Sequence, residues 1–356
     1  MEPHLPLTIA AFRFPDLSDG QWEQFFTLSE SHFGEINPGD ACPDRNLRRN
    51  SLLHPHPLWE FHDWAATLDG RWVGHAGIYF LREETEVAEG DRGISQFELY
   101  VLPSFRRRGI GSALFQTAQD MARQCGKSGF LDVTTLEAGR NFILHQGGRA
   151  LNERWISRLD LRQVDWRQVQ KWCEEGAARS PDLSLHLMQS MPQELLAKYV
   201  DLYNTIGQIV PEAEAEGFVP QDRTSLEDRR ATEDLVREKG ITYLTILAQS
   251  SRWQLAGLTE IYHNPAQPER VEQSITGVLP PYRGQGLGKW LKAEMLQALH
   301  QRLTQTRYVE TGNAQQNAAM LTINRALGFR PYYAEMQYRL DFGAAGGSSH
   351  LGTGPA

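Results

Sequence analysis

The chain has 356 residues, enough for two or three domains of ordinary size, and its 40% hydrophobic and 22% charged content excludes a disordered polypeptide. With 36 basic and 44 acidic residues the net charge is −8, and no basic patch of the kind nucleic-acid binding needs is visible; no apolar run reaches the ~18–20 residues that span a bilayer. Cys42, Cys125 and Cys173 are far apart and form no CxxC pair, which argues against a disulfide framework or a zinc motif; the start, Met1-Glu2-Pro3-His4, lacks signal-peptide character, so the cytoplasm is the expected location.

In chain order, the pattern predicts a short strand near Thr8–Ala10 and then a polar-rich helical stretch. Apolar and β-branched runs broken by turn residues predict strands at Glu60–Leu68 and Trp72–Leu81. Between them and the first helical stretch, His54-Pro55-His56 reads as a solvent loop rather than a metal site, because no acid or cysteine stands at ligand spacing. A further strand runs into Val101-Leu102-Pro103 and is followed by Arg106-x-x-Gly109-x-Gly111. Ile110, Ala113, Leu114, Thr117, Ala118 and Met121 then mark one face of a helix. A strand at Gly129–Thr134 and a second helix ending at Gly147-Gly148-Arg149 complete the set.

After a connecting helix predicted at Trp166–Glu175, the same order returns. Strands are predicted near Leu183–Leu187, at Tyr243–Gln249 and at Trp253–Tyr262, then Val278-Leu279-Pro280 leads into Arg283-x-x-Gly286-x-Gly288. Leu287, Leu291, Met295 and Leu299 form a helical face, and Tyr308–Thr311 precedes a helix ending at Leu327-Gly328-Phe329. Val101 and Val278, Pro103 and Pro280, Arg106 and Arg283, Gly109 and Gly286, and Gly111 and Gly288 all stand 177 residues apart. Two copies of one unit are therefore expected, at 1–165 and 183–342, with a linker at 166–182 and a disordered Gly/Ser/Ala tail at 343–356.

A glycine pair between a strand and a long helix turns the backbone tightly and leaves N–H groups facing outward where the helix dipole favours an anion. That is a pyrophosphate cradle. Gly288-Lys289 is followed by Trp290, not Ser or Thr, so the loop is not of the Walker type, and neither copy has the Gly-x-Gly-x-x-Gly spacing of a dinucleotide fold.

These two loops, each after a Val-x-Pro strand end, resemble motif A of the GNAT N-acetyltransferases. In the second copy Asn313, Asn317 and Leu327-Gly328-Phe329 are also similar to the family's second helix motif, whereas Gly147-Gly148-Arg149 departs from the usual Gly-Phe. The resemblance covers residues 7–160 and 183–341, and the arrangement is similar to that of two-domain members of the family. It implies an α/β fold (the α+β GNAT fold), each copy a mixed, mainly antiparallel sheet flanked by helices. It also implies acetyl-CoA or another acyl-CoA as co-substrate, no metal, and a monomer or homodimer acting on a small-molecule amine.

The resemblance assigns the pyrophosphate to the loop from Arg283 through Gly284, Gln285, Gly286, Leu287, Gly288 and Lys289, with Arg106, Arg108, Gly109, Ile110 and Gly111 as the first copy's counterparts. The thioester oxygen falls to the backbone N–H of Val278, beside a bulge that Gly277 accommodates, with Val101 as its counterpart. Asn313 joins the cofactor set, and Asn317 would bond the pantetheine arm or a phosphate, although a helix N-cap is an equal reading. An amine must lose a proton before it attacks, and the family's glutamate stands eleven residues before the motif arginine; that position is Glu272. The same count in the first copy gives Ser95, and Glu98, three residues on, would point to the other face. The family's tyrosine acid is replaced by Asn324 and Ile143. Glu212, Glu214 and Glu216 read as a solvated acidic loop rather than an amine attractor. The expected activity is N-acetylation in the second copy. The rivals are a non-catalytic acyl-CoA-binding module, two active copies, or a protein-lysine acceptor.

Overall fold

The computed structural model describes residues 6–83, 93–209, 224–314 and 317–343. The first half runs β1 (Thr8–Phe12), α1 (Asp19–Ile36), α2 (Arg45–Leu53), β2 (Trp59–Leu68), β3 (Arg71–Leu81), β4 (Ile94–Val101), α3 (Ile110–Gln124), β5 (Gly129–Thr134), α4 (Glu137–His145) and β6 (Arg149–Asp160). Helix α5 (Trp166–Arg179) leads to the second: β7 (Leu183–Met188), α6 (Gln193–Ile209), α7 (Leu226–Glu238), β8 (Thr242–Ser250), β9 (Leu255–His263), β10 (Arg270–Val278), α8 (Leu287–Arg302), β11 (Tyr308–Ala314), α9 (Ala318–Leu327) and β12 (Arg330–Asp341). Glu212, Glu214, Glu216 and all but the first residue of the expected tail lie outside the described residues.

All twelve strands of the described residues join one sheet, in the order β1-β2-β3-β4-β5-β12-β6-β11-β10-β9-β8-β7. The two halves exchange their last strands. β12 lies antiparallel beside β5, β6 lies antiparallel beside β11, and β6 and β12 pair with each other at the centre. Burial explains the exchange: Tyr338 and Leu340 of β12 pack into the core under α3, and Leu159 of β6 packs into the core under α8. Each core is completed by a strand from the other half.

Helices α5 and α8 cover one face of the second half and α3 the same face of the first, while α1 and α6 lie on the opposite face. On that face Asp40, just after α1, pairs with Arg158 of β6, which also pairs with Glu310 of β11. His54-Pro55-His56 is not a plain solvent loop: His56 Nε2 lies 3.3 Å from Thr232 Oγ1 and 3.7 Å from Asp228 on α7, so this segment packs against the other half. The connecting segment is likewise a packed helix, with Val169, Trp172 and Cys173 buried against α8, because its apolar face has a core to cover.

Candidate functional site

In each half two neighbouring parallel strands part. β10 and β11 pair only at Arg270–Tyr308, Val271–Val309 and Glu272–Glu310, and β4 and β5 only at Ile94–Gly129, Ser95–Phe130 and Gln96–Leu131. Beyond those pairs each couple splays into a wedge. Leu279 N–H bonds Ala256 O at 2.9 Å, which makes Val278 and Gly257 a non-hydrogen-bonded pair. The Val278 N–H therefore points away from β9 and into the wedge. Leu102 N–H to Val73 O (3.0 Å) puts Val101 in the same position in the first half.

The chain then turns through Pro280–Tyr282 into the glycine loop. Gly284 (φ 78°) and Gly286 (φ 86°) take left-handed backbone, Gly286 caps α8 without any side-chain cap, and Gly284 has open space where a Cβ would stand. The first N–H groups of α8, at Leu287, Gly288 and Lys289, have no partner in the helix and none from a capping side chain. These residues fit an anion such as a pyrophosphate. Leu287 and Ile110 have buried side chains, so each offers the site backbone only. Gly288 lies against Ile323 of α9 and Val278, and Gly111 against Phe142 of α4 and Leu99, so each loop is wedged between strand end and second helix.

The two loops differ in what holds them. Arg283 Nε donates to Val278 O at 3.0 Å and Arg106 Nε to Val101 O at 2.9 Å. Arg283 makes no ion pair among the described residues. Arg106 is also clamped by both Glu35 carboxylate oxygens (Nη1 at 3.0 Å), and Tyr100 donates to Glu35 at 2.7 Å. Arg107 takes the left-handed position (φ 61°) that Gly284 fills in the second half.

Glu272 is reached by solvent yet crowded by protein, and that burial pushes its carboxyl above the usual range; Arg154 and Arg270 pull it down, Glu310 and Glu335 push it up. It makes no hydrogen bond or ion pair among the described residues. On the same face stand Tyr262, its cross-strand neighbour, and Tyr243, whose ring lies 4.3 Å from that of Tyr262. Next to them Glu260, 1% exposed, accepts from Tyr199 (2.8 Å), Thr245 (2.8 Å) and Tyr243, with Arg229 at 3.9 Å. Sequence reading missed this network, whose members are spread over α6, α7, β8 and β9 with no local motif.

Three expectations are corrected by the register. The bulge of β10 falls between Gln273 and Thr276, not at Gly277. Gly277 instead admits α6, since a Cβ there would stand 2.2 Å from Ile206. The β3–β4 ladder has no bulge, so the counterpart of Glu272 opposite the equivalent tyrosine, Tyr79, is Gln96 rather than Ser95. Glu98, two residues on, therefore shares the face of Gln96 instead of pointing away. Burial raises its carboxyl; His75 and Arg48 lower it and Asp63 raises it.

Asn317 caps α9 by accepting from Met320 N–H at 3.2 Å. Asn313 Oδ1 accepts from the buried Asn324 at 2.7 Å, so Asn313 is drawn toward α9. Lys289 stacks over Trp172 of α5 at 5.2 Å, and Arg179 Nη1 comes within 3.3 Å of where a Gly286 Cβ would stand. In sequence Arg179 stands in the expected linker, past the helix predicted at Trp166–Glu175, and the structure extends that helix to reach it. Arg108 lies over Phe105 at 5.4 Å, and Gln285 is exposed.

The acetyltransferase (GNAT) family model matches twice, at residues 17–143 and 208–329. Among solved structures, a tandem GNAT protein from the clavulanic acid biosynthesis pathway, determined without AcCoA, superimposes with a TM-score of 0.74 at 23% identity, covering 96% of this chain and 100% of that one. A GCN5-related N-acetyltransferase from Sphaerobacter thermophilus gives 0.64 at 14% identity, over 95% and 96% of the two chains. A GCN5-related glucosamine N-acetyltransferase region of a fungal multi-domain GH3 β-N-acetylglucosaminidase gives 0.66 at 14%, over 94% of this chain and 38% of that one. No curated protein matches this chain. At such identities the solved structures bear on the fold.

Proposed function

Because the chain belongs to the GNAT acetyltransferase family, we propose that its second half transfers an acetyl group from acetyl-CoA to a small-molecule amine. One observation carries the assignment to that half: among the described residues, its wedge combines a glycine loop whose Arg283 has no ion pair and a carboxylate, Glu272, that has no partner, whereas the first half has Arg106 held by Glu35 and glutamine at the matching place. The N–H groups of the Gly284–Lys289 loop bind the pyrophosphate. The Val278 N–H donates to the thioester oxygen as charge builds there. Glu272 takes the amine proton, directly or through water, and its raised pKa suits it to that task. The carbon–nitrogen bond forms, the carbon–sulfur bond breaks, and CoA leaves as thiol with the proton. No tyrosine acid is required of Asn324, since a thiol of pKa roughly 8–9 departs readily.

Glu272→Gln tests this. With an amine panel and a thiol-release assay, kcat is expected to fall by about 10²-fold or more, with acetyl-CoA affinity retained. Wild-type kcat/KM should fall as pH drops through the raised Glu272 pKa, because the protonated acid cannot accept, and the variant should lose that limb. Unchanged turnover and pH profile would remove Glu272 from the role. A second reading, in which both halves act, is favoured by Glu98 on the matching face; Glu98→Gln lowering kcat as far as Glu272→Gln would establish it.

A further inference from the structure

At the far end of α3 from the glycine loop, about 22 Å along a 15-residue helix, three side chains of unlike chemistry meet. His62 Nε2 lies 2.8 Å from Glu60 Oε1 and 4.0 Å from Cys125 Sγ, and the three donor atoms all fall within 4.8 Å of one another. Glu60 and His62 sit two apart on β2, so they share a face, and Cys125 caps the C-terminus of α3 above that face. The ring is held between Trp64 and Phe80, at 6.3 and 5.9 Å.

The second half shows that the fold does not require these residues. Counting along the matching strand and helix, their places are taken by Thr242, Leu244 and Arg302, of which Leu244 is core. The second half thus carries no carboxylate, imidazole or thiol at these places, and the set in the first half is a local departure of the kind that marks function.

We propose that Glu60, His62 and Cys125 form a binding site for a transition-metal dication of the zinc class, unconnected with acyl transfer. Thiolate and imidazole select borderline metals such as Zn²⁺ or Co²⁺ over Mg²⁺ and Ca²⁺, which take oxygen donors. One carboxylate oxygen, one imidazole nitrogen and one thiolate are three of the four positions of a tetrahedral site, with water in the fourth. On binding, the Cys125 thiol gives up its proton to solvent as the sulfur–metal bond forms. Because the thiol must lose its proton to bind, affinity should climb with pH. The metal would tie β2 to α3 across 63 residues of sequence.

Co²⁺ titration of the reduced, chelator-stripped full chain is the test. The expected result is one equivalent bound, with the intense near-ultraviolet thiolate-to-cobalt band and the strong visible bands of a tetrahedral site, and displacement by Zn²⁺. Cys125→Ser should abolish the thiolate band while Cys42→Ser keeps it, and His62→Ala and Glu60→Gln should each weaken binding by at least about tenfold. Circular dichroism of the metal-free variants separates loss of ligand from loss of fold; His62→Gln serves if His62→Ala unfolds. A folded wild-type chain that binds no stoichiometric Co²⁺, or a thiolate band that survives in Cys125→Ser, overturns the proposal. Neither result touches the assignment of Glu272.

Discussion

Beneath β10, Thr259 Oγ1 bonds Gln273 Nε2 at 3.2 Å and Thr276 Oγ1 at 2.7 Å, and Lys292 Nζ of α8 donates to Gln273 at 2.8 Å. The same four places in the first half hold Ala76, Phe97, Leu99 and Phe115, with the rings of Phe97 and Phe115 5.6 Å apart. Gln273 and Thr276 flank the bulge of β10, and one hydroxyl on β9 staples both sides of it. The apolar half has a regular ladder and no bulge. Burying a lysine with one neutral partner is costly, so a chain that already owns an apolar solution keeps the polar one only where it gains something. Here the polar ladder lines the bulge of the strand that carries Glu272 to one end and Val278 to the other.

Separating the halves should have the largest effect. Residues 1–165 alone would lose Tyr338 and Leu340 from their core, each worth about 1.5–3 kcal/mol, and would expose the edges of β5 and β6. No folded monomer is expected; size-exclusion and circular dichroism of the fragment check this, and a stable monomer would show that the exchange is incidental. Next come the two loops. Gly286→Glu forces a left-handed backbone on a side chain and adds a negative charge to the anion site, so calorimetric acetyl-CoA affinity should drop by at least about 100-fold, or about 2.7 kcal/mol. Gly109→Glu should leave it within about twofold. Equal losses would erase the distinction between halves.

Smaller effects concern stability. Arg106→Ala breaks a half-buried two-pronged contact with Glu35 and should cost about 1–3 kcal/mol in urea unfolding, against no more than about 0.5 for the exposed Arg283→Ala. Lys292→Met should raise the melting temperature by a few degrees, since an apolar chain of similar length replaces a buried ammonium. Burial lowers the Lys292 pKa from 10.5 to about 7, so between those values the unfolded chain binds the extra proton. Wild-type stability should therefore rise with pH across that window, and the variant's advantage should be largest at pH 7 and shrink toward pH 10.

Local patterns were readable because they act locally. The 177-residue offset, the glycine pairs and the helix faces locate both loops, since left-handed backbone and a 3.6-residue period leave their mark on adjacent residues. Counting back from the motif arginine leads to Glu272. It does not lead to the first half's counterpart, because one inserted residue in β10 shifts the count, and nothing in the string Glu272-Gln273-Ser274-Ile275-Thr276 marks a bulge that Thr259 and Lys292 line from other elements. Arg106 and Arg283 look alike in sequence; Glu35, in a helix 71 residues earlier, makes them different.

By itself the sequence determined that the chain is duplicated, that each copy builds a glycine-rich strand–loop–helix turn, and that an acid stands eleven residues before the second loop's arginine. Only the tertiary structure decided that the copies trade their last strands, that one cradle is clamped and the other open, and that Glu60, His62 and Cys125 meet. The reason is physical. Turns and helix faces are set by neighbours in the chain, whereas strand partners, buried polar ladders and converging ligands are set by which distant segments can bury their surfaces together.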